Sequence, residues 1–335
     1  MSVLLVTHED CGAHDPGGGH PERADRLRAV EMGIARSGVG EALIRQPSRP
    51  ATRAELERVH SPSHLDAVEG HCLGGGGYLD SDTGVCGASW SAAVVAAGAG
   101  PMAVERLDHG EAEAAFLAVR PPGHHATGAK SMGFCLLNNV AVCAAGLADR
   151  GERVAIVDYD AHHGNGTQDA FYGDARVLYV SLHQWPAYPG TGRLEEVGTG
   201  PGEGTTLNLP LPAGTTGEVY RAALDEVVVP SIEAFAPSWM ILSAGFDAHR
   251  ADPLTSMGLS AADFADLTAS LVALVPPGRR LAFLEGGYDL QALADSAGAC
   301  VAALAGVRWH PEPPSAGGPP APVVDLAARR LAATA

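Results

Sequence analysis

Six short apolar runs punctuate the chain, at residues 2–7, 114–119, 153–158, 177–182, 238–243 and 280–285. Each is nearly continuous in apolar residues and bounded by charge, glycine or proline, the signature of strands buried on both faces. Between them, residues 21–36, 88–107, 135–149, 217–234, 260–274 and 289–305 carry helical patterns. Strands alternating with helices predict one α/β domain, an open and mostly parallel sheet with helices on both faces. Two long Gly/Pro-rich loops, 73–87 and 184–206, are of a length that usually serves function. Residues 311–322 form a Pro-rich connection and 323–332 a short helical tail. The expected division is a catalytic domain over 1–310, with 311–335 packed on it.

In open α/β sheets ligands sit outside the carboxyl ends of the strands, and the polar residues fall there. After the run 153–158 comes Asp158-Tyr-Asp160-Ala-His162-His163-Gly164-Asn165. Alternation along an extended segment would put Asp158, Asp160 and His162 on one face. Buried carboxylates need a partner, and a divalent cation is the usual one. Other strand ends supply His124-His125, Gly245-Phe-Asp247-Ala-His249 and Glu285-Gly-Gly-Tyr288. Asp160, His162 and Asp247 would make a three-ligand zinc site with a position left open, as catalytic zinc has. The tandem histidines offer general acid/base groups, and tyrosine a donor for an oxyanion. Each piece has a bland reading, an incidental His-His, a turn glycine pair or an N-capping carboxylate. Their joint placement at strand ends favours chemistry.

Composition narrows the partners. The formal net charge is −17 and no basic tract is present, which argues against binding a nucleic-acid backbone. The same charge suits cationic substrates such as basic peptides or polyamines, beside the plainer role of keeping the protein soluble. Six cysteines without a C-x-x-C pair read as reduced thiols, several of them core residues. The first residues read as a strand and not a signal peptide, and no apolar stretch is long enough to span a bilayer. A cytoplasmic protein, monomer or homo-oligomer, is the resulting expectation.

The ordered motifs resemble those of the zinc-dependent histone deacetylase and acetylpolyamine amidohydrolase family. They are Gly19-His-Pro-Glu-Arg23, Arg120-Pro-Pro-Gly-His-His-Ala126, Gly133-Phe-Cys-Leu-Leu-Asn-Asn139 and Asp158-x-Asp-x-His-His-Gly-Asn-Gly-Thr-Gln168. Tyr188-Pro-Gly-Thr-Gly192, Ser243-Ala-Gly-Phe-Asp-Ala-His249 and Leu284-Glu-Gly-Gly-Tyr288 continue the series. The resemblance runs from about residue 15 to 306, and asparagine at 165 is similar to the class II and bacterial branch. It implies the arginase/deacetylase-like fold.

It also implies roles. Asp160, His162 and Asp247 would bind one Zn²⁺ per chain, with His125 as general base and then acid. His124 would stay mainly electrostatic, held by buried Asp158, and Asn165 would orient His125. Being neutral, Asn165 should leave His125 more readily unprotonated than a carboxylate would. Tyr288 would donate to the oxyanion. Phe134 and Tyr188 would wall a tunnel for the stem of the acylated amine, with the Gly133 carbonyl near the scissile N–H. A structural K⁺ or Na⁺ would lie at Asp158, Ser181 and Leu182, with the backbone of Asp160 and His162.

Two departures bear on substrate. Tyr188 stands where phenylalanine is familiar, and Asp252-Pro253 is followed by Leu254 where the eukaryotic polyamine branch places a glutamate. The expected activity is hydrolysis of acetyl or short acyl groups from primary amines such as acetyl-lysine, with acetylpolyamines or small metabolites as the alternative. A ureohydrolase would need a second carboxylate two residues past His162, where Gly164 stands; a non-catalytic acyl-lysine binder would have lost a ligand or the oxyanion donor. Among the remaining histidines, His163 reads as a hydrogen-bonded core residue, and His249 as a support or rim residue. His183 reads as a rim residue after its strand. His8, His14, His60, His64, His71 and His109 have no evident convergent partner.

Overall fold

The computed structural model describes residues 1–334. Its eight-stranded sheet comprises β1 (Val3–Thr7), β2 (Leu43–Pro47), β5 (Ala114–Leu117), β6 (Val154–Asp158), β7 (Val177–Gln184), β8 (Thr206–Leu211), β9 (Trp239–Ala244) and β10 (Arg280–Leu284). A separate hairpin joins β3 (Gly77–Tyr78) and β4 (Gly84–Val85). The sheet order is β2-β1-β5-β10-β9-β6-β7-β8, and every pairing in it is parallel. Alternate residues of each central strand feed two apolar layers. Val3, Leu5, Phe116, Ala155 and Val157 join one; Leu4, Val6, Leu117, Val154 and Ile156 join the other. Both faces are therefore covered, which explains the continuous apolar runs; each large side chain so buried contributes roughly 1.5–3 kcal/mol.

The edge strands β2 and β8 escaped the pattern for a physical reason. A strand paired on one side only is half solvated, so Arg45 and Gln46 break the apolar run of β2. In β8, Asn208 and Pro210 alternate with leucines, and proline is tolerated because the strand is an edge. The predicted loop 73–87 holds the small β3–β4 hairpin. A helix at Pro62–Leu73, N-capped by Ser61, also went unpredicted. The helix expected over 217–234 forms as Gly217–Ala223 and Val229–Phe235 with a π turn between.

The Pro-rich connection is tied down. Glu312 accepts the backbone N–H of Ala261 at 2.7 Å and pairs with His249 Nε2 at 2.7 Å. The Ser315 hydroxyl donates to Asp263 Oδ2 at 2.6 Å. The terminal helix Pro322–Thr334 buries Val324 and Ala327 in the core.

A buried charge cluster fastens the segment before the helix Asp25–Arg36 to the strand ends. Arg120, just past β5, donates two parallel bonds of 2.6 Å to Glu22. Arg26 donates to the same carboxylate at 3.1 Å, and His14 Nε2 lies 3.4 Å from it. All four side chains are essentially inaccessible. Burial alone would raise the Glu22 pKa, but the charge of Arg120, with His14 and Arg26, holds it well below the usual value. Such a carboxylate stabilises the fold fully above its unfolded pKa of 4.5 and loses that contribution as pH falls below it. Glu22→Gln should therefore cost about 3–5 kcal/mol in urea unfolding at neutral pH, and flatten the acid slope of stability.

Candidate active site

The catalytic candidates converge above the adjoining ends of β5, β10, β9 and β6, which are neighbours in the sheet though far apart in sequence. Strand β6 stops at Asp158, yet Val157, Tyr159 and Ala161 all join one apolar layer, so Asp158, Asp160 and His162 still alternate with them. Asp158 Oδ2 faces His124 Nδ1 at 3.0 Å and Oδ1 accepts the N–H of Asp160 at 3.2 Å. Asp160 faces the same imidazole, its Oδ2 3.9 Å from His124 Nε2. Asp160 and His162 also meet Asp247, with ligand atoms from all three within 4.8 Å of one another. His162 Nδ1 lies 2.9 Å from Asp247 Oδ2 and 3.2 Å from Asp160 Oδ1.

Backbone donors hold these carboxylates. Asp160 accepts the N–H groups of His162 at 2.9 Å and Gly286 at 2.8 Å. Asp247 Oδ1 accepts that of Ala161 at 2.8 Å. Space explains the glycines that the motifs contain: a Cβ at Gly245 would strike the Asp160 carboxylate, and one at Gly286 would strike both carboxylates. Burial works against protonating His162, yet Asp247 and Asp160 together raise its pKa well above the ordinary value. Burial and the charge of Asp160 lift Asp247 to about 7. Two carboxylates and an imidazole brought this close match the N/O ligand set that a divalent cation takes.

Beside this cluster the two histidines differ. Burial lowers the His124 pKa, but Asp158 and Asp160 outweigh it and raise the value to about 10. His125 has no such partner, and burial followed by the charges on His124 and His162 drives its pKa well down. Its Nδ1 stands 2.9 Å from Asn165 Oδ1, and Asn165 Nδ2 donates to the His125 carbonyl at 3.3 Å. The amide oxygen therefore accepts a hydrogen bond from Nδ1–H, leaving Nε2 with a free lone pair.

Gly164 has no room for a side chain: a Cβ there would strike Asp158 Oδ2 and lie 2.7 Å from the Tyr179 hydroxyl. The second carboxylate a ureohydrolase requires cannot be seated. The positions tied by resemblance to a monovalent cation are adjacent, since Asp158 pairs in register with Ser181. The Ser181 hydroxyl lies 2.9 Å from His183 Nδ1, and the Leu182 carbonyl accepts the Tyr220 hydroxyl at 3.3 Å.

Aromatic rings line the approach. The Tyr188 ring stands edge-on to His125 at 5.1 Å between centroids, and its side chain is 39% exposed. Phe134 stands edge-on to Tyr288 at 5.7 Å. Gly133 has φ +56°, and a Cβ on it would meet the His125 ring at 2.5 Å. Phe134, at φ +70°, occupies the left-handed region without being glycine, a strain that well-packed surroundings must sustain. Its N–H donates to Thr83 Oγ1 at 3.2 Å, and its ring packs on His20 at 4.5 Å. The Gly133 carbonyl accepts the Cys135 thiol at 3.4 Å.

Other histidines sort cleanly. His163 is a buried residue bonded to Thr191 at 2.8 Å and Gln168 at 3.0 Å. His183 is buried too, and does not reach a rim. His249 turns to Glu312. His14, expected to lack partners, bonds Ser89 Oγ at 2.7 Å inside the Glu22 cluster. Sequence reading gave no role to Glu22, Arg26 or Asp252. The spacing of Glu22 and Arg26, one helical turn apart, was the available signal for the first two.

Comparison with known proteins places the chain in a family. Residues 20–304 match the family model described as histone deacetylase domain. A probable deacetylase of Archaeoglobus fulgidus is 41% identical over 314 residues, covering 91% of this chain and 87% of that one. Histone deacetylase 15 of Arabidopsis thaliana is 42% identical over 89% of this chain, which spans only 55% of that protein. The crystal structure of the HDA15 HD domain superposes with a TM-score of 0.89 at 37% identity, over 98% of this chain and 93% of that one.

A carboxylate in place of Asn165 would return charge to the Nδ1 side of His125. Asn165→Asp should raise the His125 pKa, visible in the titration of its ring resonances by NMR.

Proposed function

This chain belongs to the histone deacetylase family of hydrolases, and from that premise we propose a zinc-dependent deacylase acting on N-acylated primary amines such as acetyl-lysine. The observation that carries the reading is the convergence of Asp160, His162 and Asp247 beside an imidazole whose Nε2 is free to accept a proton. Those three residues would hold the metal, with His162 contributing Nδ1. Zinc held there supplies Lewis acidity, polarising an amide carbonyl and a water.

The chain's own groups do the rest. His125 Nε2 accepts a proton from the attacking water, which its low pKa makes available at neutral pH. The same nitrogen then delivers that proton to the departing amine. His124, kept cationic by Asp158, adds positive charge without moving a proton. The Tyr288 hydroxyl, for which no hydrogen-bond partner occurs among the described residues, donates to the developing oxyanion. Phe134 and Tyr188 enclose the stem of the amine and exclude water. Asp158, Ser181 and Leu182, with the backbone of Asp160 and His162, belong to the same proposal as the holders of a K⁺ or Na⁺.

Leu254, 43% exposed, is held near Tyr288 through Asp252 and favours an apolar or peptide context over a free polycation. One observation favours the polyamine alternative: burial, then the charges of Asp82 and Asp80, raise the Tyr188 hydroxyl pKa, so carboxylates stand near the entrance. Rates on acetyl-lysine peptides, acetylputrescine and acetylspermidine, measured side by side, separate the two. Faster turnover of the polyamines would reverse the preference.

Removing metal with a chelator should abolish turnover, and about one equivalent of Zn²⁺ per chain should restore it. A requirement for two would contradict the three-ligand reading. Tyr288→Phe should lower kcat by roughly 10²–10³-fold while metal content is retained. Near wild-type turnover would sink the oxyanion assignment.

A further inference from the structure

The loop Glu285-Gly-Gly-Tyr288 holds two adjacent glycines, and Gly287 has φ +113°, so local backbone preference does little to fix the tyrosine. No hydrogen bond to the Tyr288 hydroxyl constrains it among the described residues. Ring packing on Phe134 and the loop backbone hold it; besides the Asp160 bond to the Gly286 N–H, two further buried groups grip that backbone from different elements. Arg26 donates through Nε to the Gly287 carbonyl at 2.7 Å and through Nη2 to the Glu285 carbonyl. Its guanidinium carbon lies 5.0 Å from the centre of the Tyr288 ring.

The second grip is Asp252, in the loop after β9. Asp252 is 7% exposed, and no lysine or arginine pairs with it among the described residues. Its Oδ2 accepts the N–H of Tyr288 at 2.7 Å and of Asp289 at 3.4 Å, and its Oδ1 accepts that of Leu254 at 2.9 Å. A buried carboxylate without a counter-ion is costly, and in this place its three bonds all go to backbone that sets a side chain of the site or its rim. Asp289 completes the hold by capping the next helix, accepting the N–H of Ala292 at 2.8 Å.

We infer that Asp252 is a positioning residue for the reaction, fixing the Tyr288 hydroxyl relative to the metal ligands and Leu254 at the entrance through one carboxylate. The inference rests on the oxyanion role proposed for Tyr288. Asparagine at 252 keeps the shape, but can accept through one atom only and turns an N–H₂ group toward a backbone N–H. A misplacement of about 1 Å is worth on the order of 10²-fold in rate.

The test is a double-mutant cycle on acetyl-lysine peptide with metal content measured for each protein. Asp252→Asn should lower kcat by on the order of 10²-fold and leave KM within about threefold. In a Tyr288→Phe background the same change should cost almost nothing further, because the hydroxyl it positions is gone. Asp252→Glu, which keeps the charge but moves it by one methylene, should show the same non-additivity and serves if the asparagine variant does not fold. Equal losses in both backgrounds would show a structural role and overturn the inference. So would wild-type kcat for Asp252→Asn beside a slow Tyr288→Phe. Near-normal turnover of Tyr288→Phe alone would remove the premise itself, a result distinct from either.

Discussion

Three carboxylates, those of Asp158, Asp160 and Asp247, sit at the ends of two adjacent strands with almost no access to water. That burial is the constraint the surrounding structure answers. Unpaired, each would cost several kcal/mol. Asp158 is answered by His124, Asp160 and Asp247 by backbone N–H groups and by the shared imidazole of His162. The parallel sheet makes this feasible because it brings the ends of β6 and β9 into register, Asp158 beside Ser243.

The same constraint explains the glycines. At 164, 245 and 286 the positions a Cβ would take are occupied by the carboxylates themselves. These glycines are cradles as much as turns. A second layer of buried charge, Arg26 and Arg120 on Glu22, ties the segment before the first long helix to the loops that carry His124 and Tyr288. The active-site loops are thus held by ion pairs and backbone bonds drawn from four separate parts of the chain.

The pKa values of two neighbouring histidines are shifted in opposite directions because only one has carboxylates to offset its burial. His124 and His125 have ring centres 4.0 Å apart. Burial lowers both, but Asp158 and Asp160 raise the first, while the charges on His124 and His162 push the second further down. That separation of roles between adjacent titratable groups is what acid/base catalysis needs.

The central strands and the residues at their ends were legible in sequence because burial on both faces writes an apolar run, and chemistry follows the run. Asp160, His162, Asp247, His124, His125 and Tyr288 could all be named that way. Edge strands β2 and β8 could not, since half-solvated strands mix polar and apolar residues. Nor could the pairing of Asp158 with His124 be read from spacing, because the two come from different strand ends. Asp252, Arg26, Glu22 and His14 look in sequence like ordinary loop or helix-surface residues. The sequence by itself determined which residue types stand at the strand ends. Only the tertiary structure decided which of them face one another, because contacts between strand ends depend on sheet order and loop path, neither of which a linear pattern encodes.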